Sequence, residues 1–402
     1  MRRQRKARAS LEHQSKIYPA WIGVAIAFYA FIAIGIAEGG LGVLLPSILG
    51  AFNLNSGTVT LLFLSQVTGY IIAALVSSLL TSRVGLAQTL LLASVTLTSA
   101  LLIYAFTPLW SIMVATGTLL GVGIGLIDAG INTYFTKDKR NAKLLGLLHA
   151  FYGIGALLGP TIATTLLSIG LRWRLIYLVI ATVVGLTIVG MAWAVVYDYK
   201  PLTMKVAISE TDAVSSLHLT LKTPIVLMSG LLLFIYVGVE ASVGNWAYSV
   251  QVINRNTPQV LAGYSVSAYW LGLTFGRMGM QQMIARVGAI RTLDYSFTLM
   301  ILGLAIWSLL PNQLWSLTLI GLGLGTIFPT VILLTPKRVP AALVPAAIGL
   351  LTSSASLGAA TIPTAVGWIA SRMNLGIIPV LMLPLAVIMI FLHRWLAQRT
   401  PN

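Results

Sequence analysis

Three carboxylic acids, Glu38, Asp128 and Glu240, sit inside long apolar runs of the chain. A charged side chain at the centre of a bilayer costs about 2.5–3.5 kcal/mol on insertion scales, so such residues face a bundle interior or a water-filled cavity. The chemistry open to them is ion coupling: a carboxyl can load a proton on one side and release it on the other. A structural pair or a solvated helix end is the competing use. It suits Glu38 most, which the sequence places toward the outer end of its helix. Asp128 and Asn132 are spaced i, i+4 and share one helix face. An amide that donates and accepts, beside a carboxylate that accepts, suits a polyol. Hydrogen bonding to a Ser or Thr of a neighbouring helix is the alternative.

The remaining polar groups are few. His149, with Tyr152, Gly153 and Ala156 on its face, reads either as a proton-shuttle or substrate contact or as a packing histidine. Trp246, Tyr248, Tyr269 and Trp270 are candidates for a sugar-stacking platform. Aromatics at helix ends are more often interface anchors, so Trp246, beside the Asn245 amide, is preferred. Arg277 lies nine residues before Arg286, roughly 13 Å inward along a helix. It either pairs with an intramembrane acid or snorkels to the interface, and snorkelling is the expectation. No His, Cys or carboxylate spacing resembles a metal site, and no Ser-His-Asp or paired-carboxylate arrangement is present. Neither an enzyme nor a cofactor is expected.

These groups need elements that cross a membrane. Of 402 residues, 57% are hydrophobic and only 8% charged, against roughly 25% charged in soluble chains. A soluble enzyme, a secreted scaffold and a disordered protein are thereby excluded. With no cysteine there is no disulfide framework. Long apolar runs nearly free of charge fit membrane-spanning helices, and twelve helices are read from eleven such runs. The first runs from Ile17 through Ala37, and the last from Met373 to His393. The basic residues cluster on one side of this plan. Arg172, Arg174, Arg255 and Arg372 fall on the other side and Arg277 within a span. By the positive-inside rule both termini are cytoplasmic. The net charge of +16 is met by anionic lipid headgroups and requires no nucleic acid. The chain divides into residues 1–197, a six-helix bundle with a basic tail, a cytoplasmic linker 198–222, and a second bundle 223–402.

An internal repeat supports that division. Gly146-Leu-Leu-His-Ala-Phe-Tyr-Gly-Ile-Gly155 with Pro160-Thr161 recurs as Gly349-Leu-Leu-Thr-Ser-Ser-Ala-Ser-Leu-Gly358 with Pro363-Thr364, at an offset of 203 residues. The same offset relates Arg83-Val84-Gly85 to Arg286-Val287-Gly288, and Gly69 to Gly272. Gly121-x-Gly-x-Gly125 recurs as Gly321-x-Gly-x-Gly325. It lies inside a span, not between a strand and a helix, so it reads as helix packing and not as a dinucleotide loop. Six helices per half give the halves the same orientation. Parallel six-helix halves are the plan of major facilitator transporters.

The repeat, span count and linker resemble the major facilitator superfamily over nearly the whole chain. Its loop signature between the second and third helices, Gly-x-x-x-Asp-Arg-x-Gly-Arg-Arg, is present in degraded form. Ser78 and Ser82 replace the glycine and the aspartate, Arg83 and Gly85 are kept, and Leu86-Ala87 replaces the basic pair. The resemblance assigns Arg83, Gly85, Arg286 and Gly288 to gating loops. A closer likeness is to the fucose permease-like branch of fucose and glucose/galactose symporters. It rests on Tyr236-Val-Gly-Val-Glu240 with Gly244-Asn245-Trp246, on Asp128-Ala-Gly-Ile-Asn132, and on Gly325-Thr-Ile-Phe-Pro-Thr330. Leu44-Leu45-Pro46 matches that branch's first helix, but Gly42 stands where the branch has its acid, and Glu38 lies farther upstream. The resemblance therefore carries the proton or substrate role to Asp128 better than to Glu38.

The sequence thus predicts an all-α membrane protein of twelve helices in two parallel six-helix repeats. It is expected to be a monomeric secondary transporter of the bacterial inner membrane. The expected function is proton-coupled uptake of a sugar or similar small polar solute. Asp128, Glu240 and Glu38 would carry protons, and Asn132, Asn245, Trp246 and His149 would contact substrate. With no Gly-x-x-x-x-Gly-Lys-Ser/Thr loop, ATP is not the driver. The alternative is export of drugs or amphipathic metabolites by proton antiport.

Overall fold

Apolar runs of this length can only be helices in hydrocarbon, because each backbone polar group must be satisfied within its own element. The computed structural model describes residues 21–137, 141, 144–203 and 218–400. The basic N-terminal tail and most of the predicted linker lie outside the described residues. In the first half α1 comprises Trp21–Gly39 and Leu41–Phe52, and a short turn Ser56–Val59 leads into α2, Leu61–Val84. Then come α3 (Leu86–Phe106), α4 (Trp110–Lys137), α5 (Leu145–Ser168) and α6 (Trp173–Val196). In the second half α7 is Pro224–Ser249, extended by a π-helical turn Val250–Asn254, and α8 is Gln259–Val287. α9 is Ala289–Leu309, and α10 is Ser316–Gly325 and Ile327–Arg338. α11 is Val344–Arg372 and α12 is Ile377–Ala397.

Eleven of these helices are long and apolar enough to cross a membrane. The twelfth, α8, is equally long, but Gln259, Ser265, Ser267, Thr274, Arg277, Gln281 and Gln282 dilute its apolar content. Outward-facing side chains such as Leu75, Val189, Phe275 and Phe391 are exposed, which gives the bundle an apolar belt for lipid. α9 begins earlier than the sequence suggests: it takes in Arg291 and Asp294 at the end that carries most of the basic residues. That end is called the basic end below.

The repeat is physical. α2 packs on α4 as α8 packs on α10, α1 on α5 as α7 on α11, and α3 on α6 as α9 on α12. Gly155 and Gly358 lie at corresponding crossings. A Cβ would come within 2.1 Å of the Ile32 carbonyl oxygen at the first and 1.9 Å of the Phe234 oxygen at the second. Only glycine lets these backbones meet. Gly121 and Gly321 likewise face the carbonyls of Gln66 and Tyr269. Gly85 and Gly288 cap α2 and α8 with matching left-handed φ of 97° and 84°. Their amides bond back to Thr81 and Ile284. Replacing Gly155 or Gly358 by valine is therefore expected to destabilise the fold by at least about 1–3 kcal/mol, the usual scale of overpacking. The melting temperature of purified protein measures this, and the two losses should be alike.

The halves meet tightly at the end opposite the basic one. Gly42 of α1 approaches Gly244 and Asn245 of α7, and Gly57 approaches Trp368 and Ser371 of α11. Thr161 donates to Ser267 at 3.0 Å, and the Thr165 and Tyr264 hydroxyls are 3.0 Å apart, joining α5 to α8. Toward the basic end the space beside Gly146, Gly279 and Gly349, on α5, α8 and α11, is empty to 4 Å.

Candidate functional site

The closed end and the parted end leave a cavity of about 520 Å³ between the halves. From the first half, α1 supplies Glu38 to its wall, α2 Gln66 and Tyr70, α4 Asp128 and Asn132, and α5 His149 and Tyr152. From the second half come Val237 of α7, Arg277 of α8, Phe328 of α10 and Ser356 of α11. A second chamber of about 210 Å³ adjoins it, bounded by Glu38, Gln66 and Tyr152 and also by Glu240, Asn245 and Trp270.

Each acid has a distinct setting. Asp128 accepts a hydrogen bond from the Tyr70 hydroxyl at 2.6 Å. It accepts another from the Asn132 amide at 2.9 Å, and that amide also reaches the Asp128 carbonyl at 2.9 Å. The i, i+4 spacing thus makes Asn132 a holder of Asp128 as well as part of the cavity wall. His149 lines the same cavity, edge-on to Phe31 with ring centres 5.7 Å apart. Glu38 accepts from the Tyr152 hydroxyl at 2.8 Å, which ties α1 to α5. It is not at a helix end. α1 continues past Gly40 to Phe52, so Glu38 lies mid-span.

Glu240 pairs with Arg277 at 3.2 Å, which corrects the expectation of snorkelling. The crossing of α7 and α8 brings the guanidinium to the acid, and it has no need to reach the interface. The Tyr236 hydroxyl donates to the Glu240 carboxylate, one turn away, and the Tyr269 hydroxyl to the Glu240 carbonyl at 2.9 Å.

Trp246 is placed differently from the expectation of a stacking platform. It is fully buried, its indole N–H donates to the Pro363 carbonyl at 3.1 Å, and its ring meets Phe63 edge-on. The ring falls inside the packing of α7 on α11 and not on a cavity wall. Of the four candidate aromatics, Trp270 is the one that borders a chamber. Trp246→Ala is accordingly expected to cost about 3–5 kcal/mol of stability, while Trp246→Phe leaves the half-saturating substrate concentration unchanged. Gln66 and Tyr70 were not singled out from sequence, and Phe328 entered only as part of the Phe-Pro-Thr motif. A glutamine and a tyrosine spaced i, i+4 within an apolar span were the available signal.

Arg83 and Arg286 end α2 and α8 at the basic end, both exposed, away from the cavity. Among the described residues no cluster of three or more His, Asp or Glu could hold a metal ion.

A sequence profile of the Major Facilitator Superfamily matches residues 27–363. The chain belongs to this superfamily. Its members are transporters and not enzymes, and the chain is a multi-pass membrane transporter. It is 27% identical to the glucose/mannose transporter GlcP of Bacillus subtilis over 338 residues, 82% of this chain and 83% of GlcP. It is 26% identical to Bypass of stop codon protein 6 of Saccharomyces cerevisiae over 269 residues. That match takes in 62% of this chain and spans about half of the yeast protein, 54%. The crystal structure of the E. coli fucose:proton symporter FucP superposes with a TM-score of 0.63 at 16% identity, covering 94% of this chain and 98% of FucP. At that identity the likeness is one of fold. The facilitator resemblance read from the sequence stands.

Proposed function

We propose that this facilitator takes up a small neutral sugar together with protons, by alternating access of its two halves. The observation that carries the reading is the cavity at the join of the repeats, where Asp128 and Glu38 meet amide, phenol and imidazole groups inside an otherwise apolar bundle. A polyol needs converging donors and acceptors, and protons need a carboxyl that can face either side. The likeness to GlcP points the same way.

In this reading Asp128 is the main proton carrier, positioned by Tyr70 and Asn132. Glu240 is held as a charge pair by Arg277, and Glu38 sits where the two chambers join. His149 and Asn245 contact the solute from opposite halves. Residues 1–197 and 223–402 rock as two bodies joined by the linker 198–222, with Gly85 and Gly288 shaping the gating loops that carry Arg83 and Arg286. The basic end is cytoplasmic, so both termini are inside and the cavity described above faces the cytoplasm of a bacterial inner membrane. One chain supplies both walls of the pathway, so the monomer is the working unit.

Uptake of a labelled sugar panel into sealed vesicles, with and without an imposed inward proton gradient, tests the function. Gradient-dependent accumulation of at least one monosaccharide is expected. Gradient-dependent extrusion of amphipathic compounds with no sugar uptake would establish the exporter instead.

A further inference from the structure

Two of the seams between the halves, α5 with α8 and α2 with α11, are mapped onto each other by the repeat. At the end opposite the basic one they are built alike. On the first seam Thr164 lies over Gly263, where a Cβ would come within 2.0 Å of the threonine Oγ1. On the second, Thr60 at the start of α2 lies over Gly367, where a Cβ would come within 2.6 Å of the threonine Cγ2. The 203-residue offset carries Thr164 onto Gly367 and Thr60 onto Gly263. Each crossing is therefore a threonine of the first half on a glycine of the second.

Eleven residues farther toward the basic end, about 16 Å along each helix, the seams differ. On the first, Gly153 of α5 meets Thr274 of α8, and a Cβ on Gly153 would stand 2.5 Å from the Thr274 Oγ1. The matching residues of the second seam are Ser356 of α11 and Ile71 of α2. Neither is a glycine, so the backbones cannot meet in this way, and Ser356 lies on the cavity wall. Closer still to the basic end, Gly146 of α5 and Gly279 of α8 face open space. Gly153 and Thr274 thus touch where the seam of α5 with α8 passes from closed to open.

The bonding along this seam changes at the same place. Nearer the closed end it is directional: Thr161 with Ser267 and Thr165 with Tyr264, both at 3.0 Å across the seam. The Thr274 hydroxyl instead donates to the Trp270 carbonyl of its own helix at 2.9 Å. It needs no partner on α5, and its contact with Gly153 is packing alone. Packing has no required angle, so it survives a change of tilt that breaks a hydrogen bond.

Resting on the proposed alternating access, and not on which solute is carried, we infer that Gly153 and Thr274 are the pivot on which the halves rock. They stay in contact throughout the cycle, while the bonds nearer the closed end break and the seam of α2 with α11 swings. The halves therefore turn about one side of the bundle and not about its centre.

The chain has no cysteine, so two introduced thiols form one bond or none, and a free-thiol count reads which. A Cβ on Gly153 would lie 3.3 Å from the Thr274 Cβ, close to the span of about 3.5–4.5 Å that a disulfide takes. Three double variants are reconstituted in liposomes: Gly153→Cys with Thr274→Cys, Thr161→Cys with Ser267→Cys, and Gly57→Cys with Ser371→Cys. Each is assayed oxidised and reduced, with the compound that the wild type moves fastest, monosaccharide or amphipath, as probe. Oxidation at the pivot should leave about half or more of the reduced rate, because a hinge point does not separate. Oxidation of either other pair should slow transport about tenfold or more, since it ties surfaces that must part, and reduction should restore it. A block at the pivot as complete as at the other pairs would overturn the inference. So would unhindered transport by oxidised Thr161→Cys with Ser267→Cys, which would make the whole seam fixed. Should the pivot pair fail to fold or oxidise, Ile154 and Met278, exposed beside it, supply a second. Ile154→Cys with Met278→Cys, joined by a short bis-maleimide, should keep about half or more of its rate for the same reason, and a tenfold loss there overturns the pivot. Failure at the pivot alone leaves alternating access standing. Unhindered transport by all three oxidised variants would overturn alternating access itself, and the pivot with it.

Discussion

Asp128→Asn is expected to abolish gradient-driven sugar accumulation while leaving exchange of internal for external sugar partly intact. Asparagine keeps the hydrogen-bonding shape of the protonated acid and cannot release a proton. The Tyr70 hydroxyl would still find an oxygen acceptor at this position, where it now meets Asp128 at 2.6 Å, so the local packing should survive. A carrier fixed in the loaded state can still swap one sugar for another, because exchange requires no proton cycle. Counterflow measured beside gradient-driven uptake in the same vesicles separates the two. Loss of both in a properly inserted protein would mean that Asp128 binds sugar or holds the structure. Undiminished accumulation would remove Asp128 from coupling and transfer the role to Glu38 or Glu240. Asn132→Ala should act more mildly. It removes the amide that holds Asp128, a bond worth about 0.5–1.5 kcal/mol, and lowers the coupling ratio without abolishing exchange.

Arg277→Met is expected to be the most destabilising single change in the site. It leaves the Glu240 carboxylate facing a partly buried pocket without its cation. Breaking a buried pair by removing one partner costs about 3–5 kcal/mol. The side chains are 24% and 12% exposed, Arg277 and Glu240 respectively, so the low end, about 3 kcal/mol, is appropriate. The measurement is the melting temperature of the purified protein in detergent. Arg277→Met with Glu240→Gln should recover most of the loss, because the uncompensated charge is gone. A double variant as unstable as the single one would show that Arg277 acts through packing and not through the pair.

What was legible in the sequence, and what was not, follows from the range of the interactions. The offset between Gly155 and Gly358 could be read directly, because a helix crossing that admits no Cβ permits only glycine. The left-handed caps at Gly85 and Gly288 recur for the same reason. The intramembrane acids were legible because apolar spans make them conspicuous. Their partners were not. Whether Arg277 reaches Glu240 depends on how α7 crosses α8, which no local pattern encodes. Trp246 and Trp270 are both tryptophans near a Tyr and a small residue. Which of them faces a chamber is decided by how α7 packs on α11, where Trp246 bonds to the Pro363 carbonyl, and by how α8 crosses α7. Glu38 was placed too near a helix end because the charge-free run stops at Ala37, although α1 resumes at once with Leu41.

The central claim is that sugar and protons move in the same direction through the cavity around Asp128. Its most direct test is the pH of a weakly buffered suspension of right-side-out, de-energised vesicles when a transported monosaccharide is added. The account predicts an alkaline shift outside, as protons enter with the sugar. That shift should be absent with Asp128→Asn and abolished by a protonophore. An acid shift, or sugar entry with no change in pH, would contradict it.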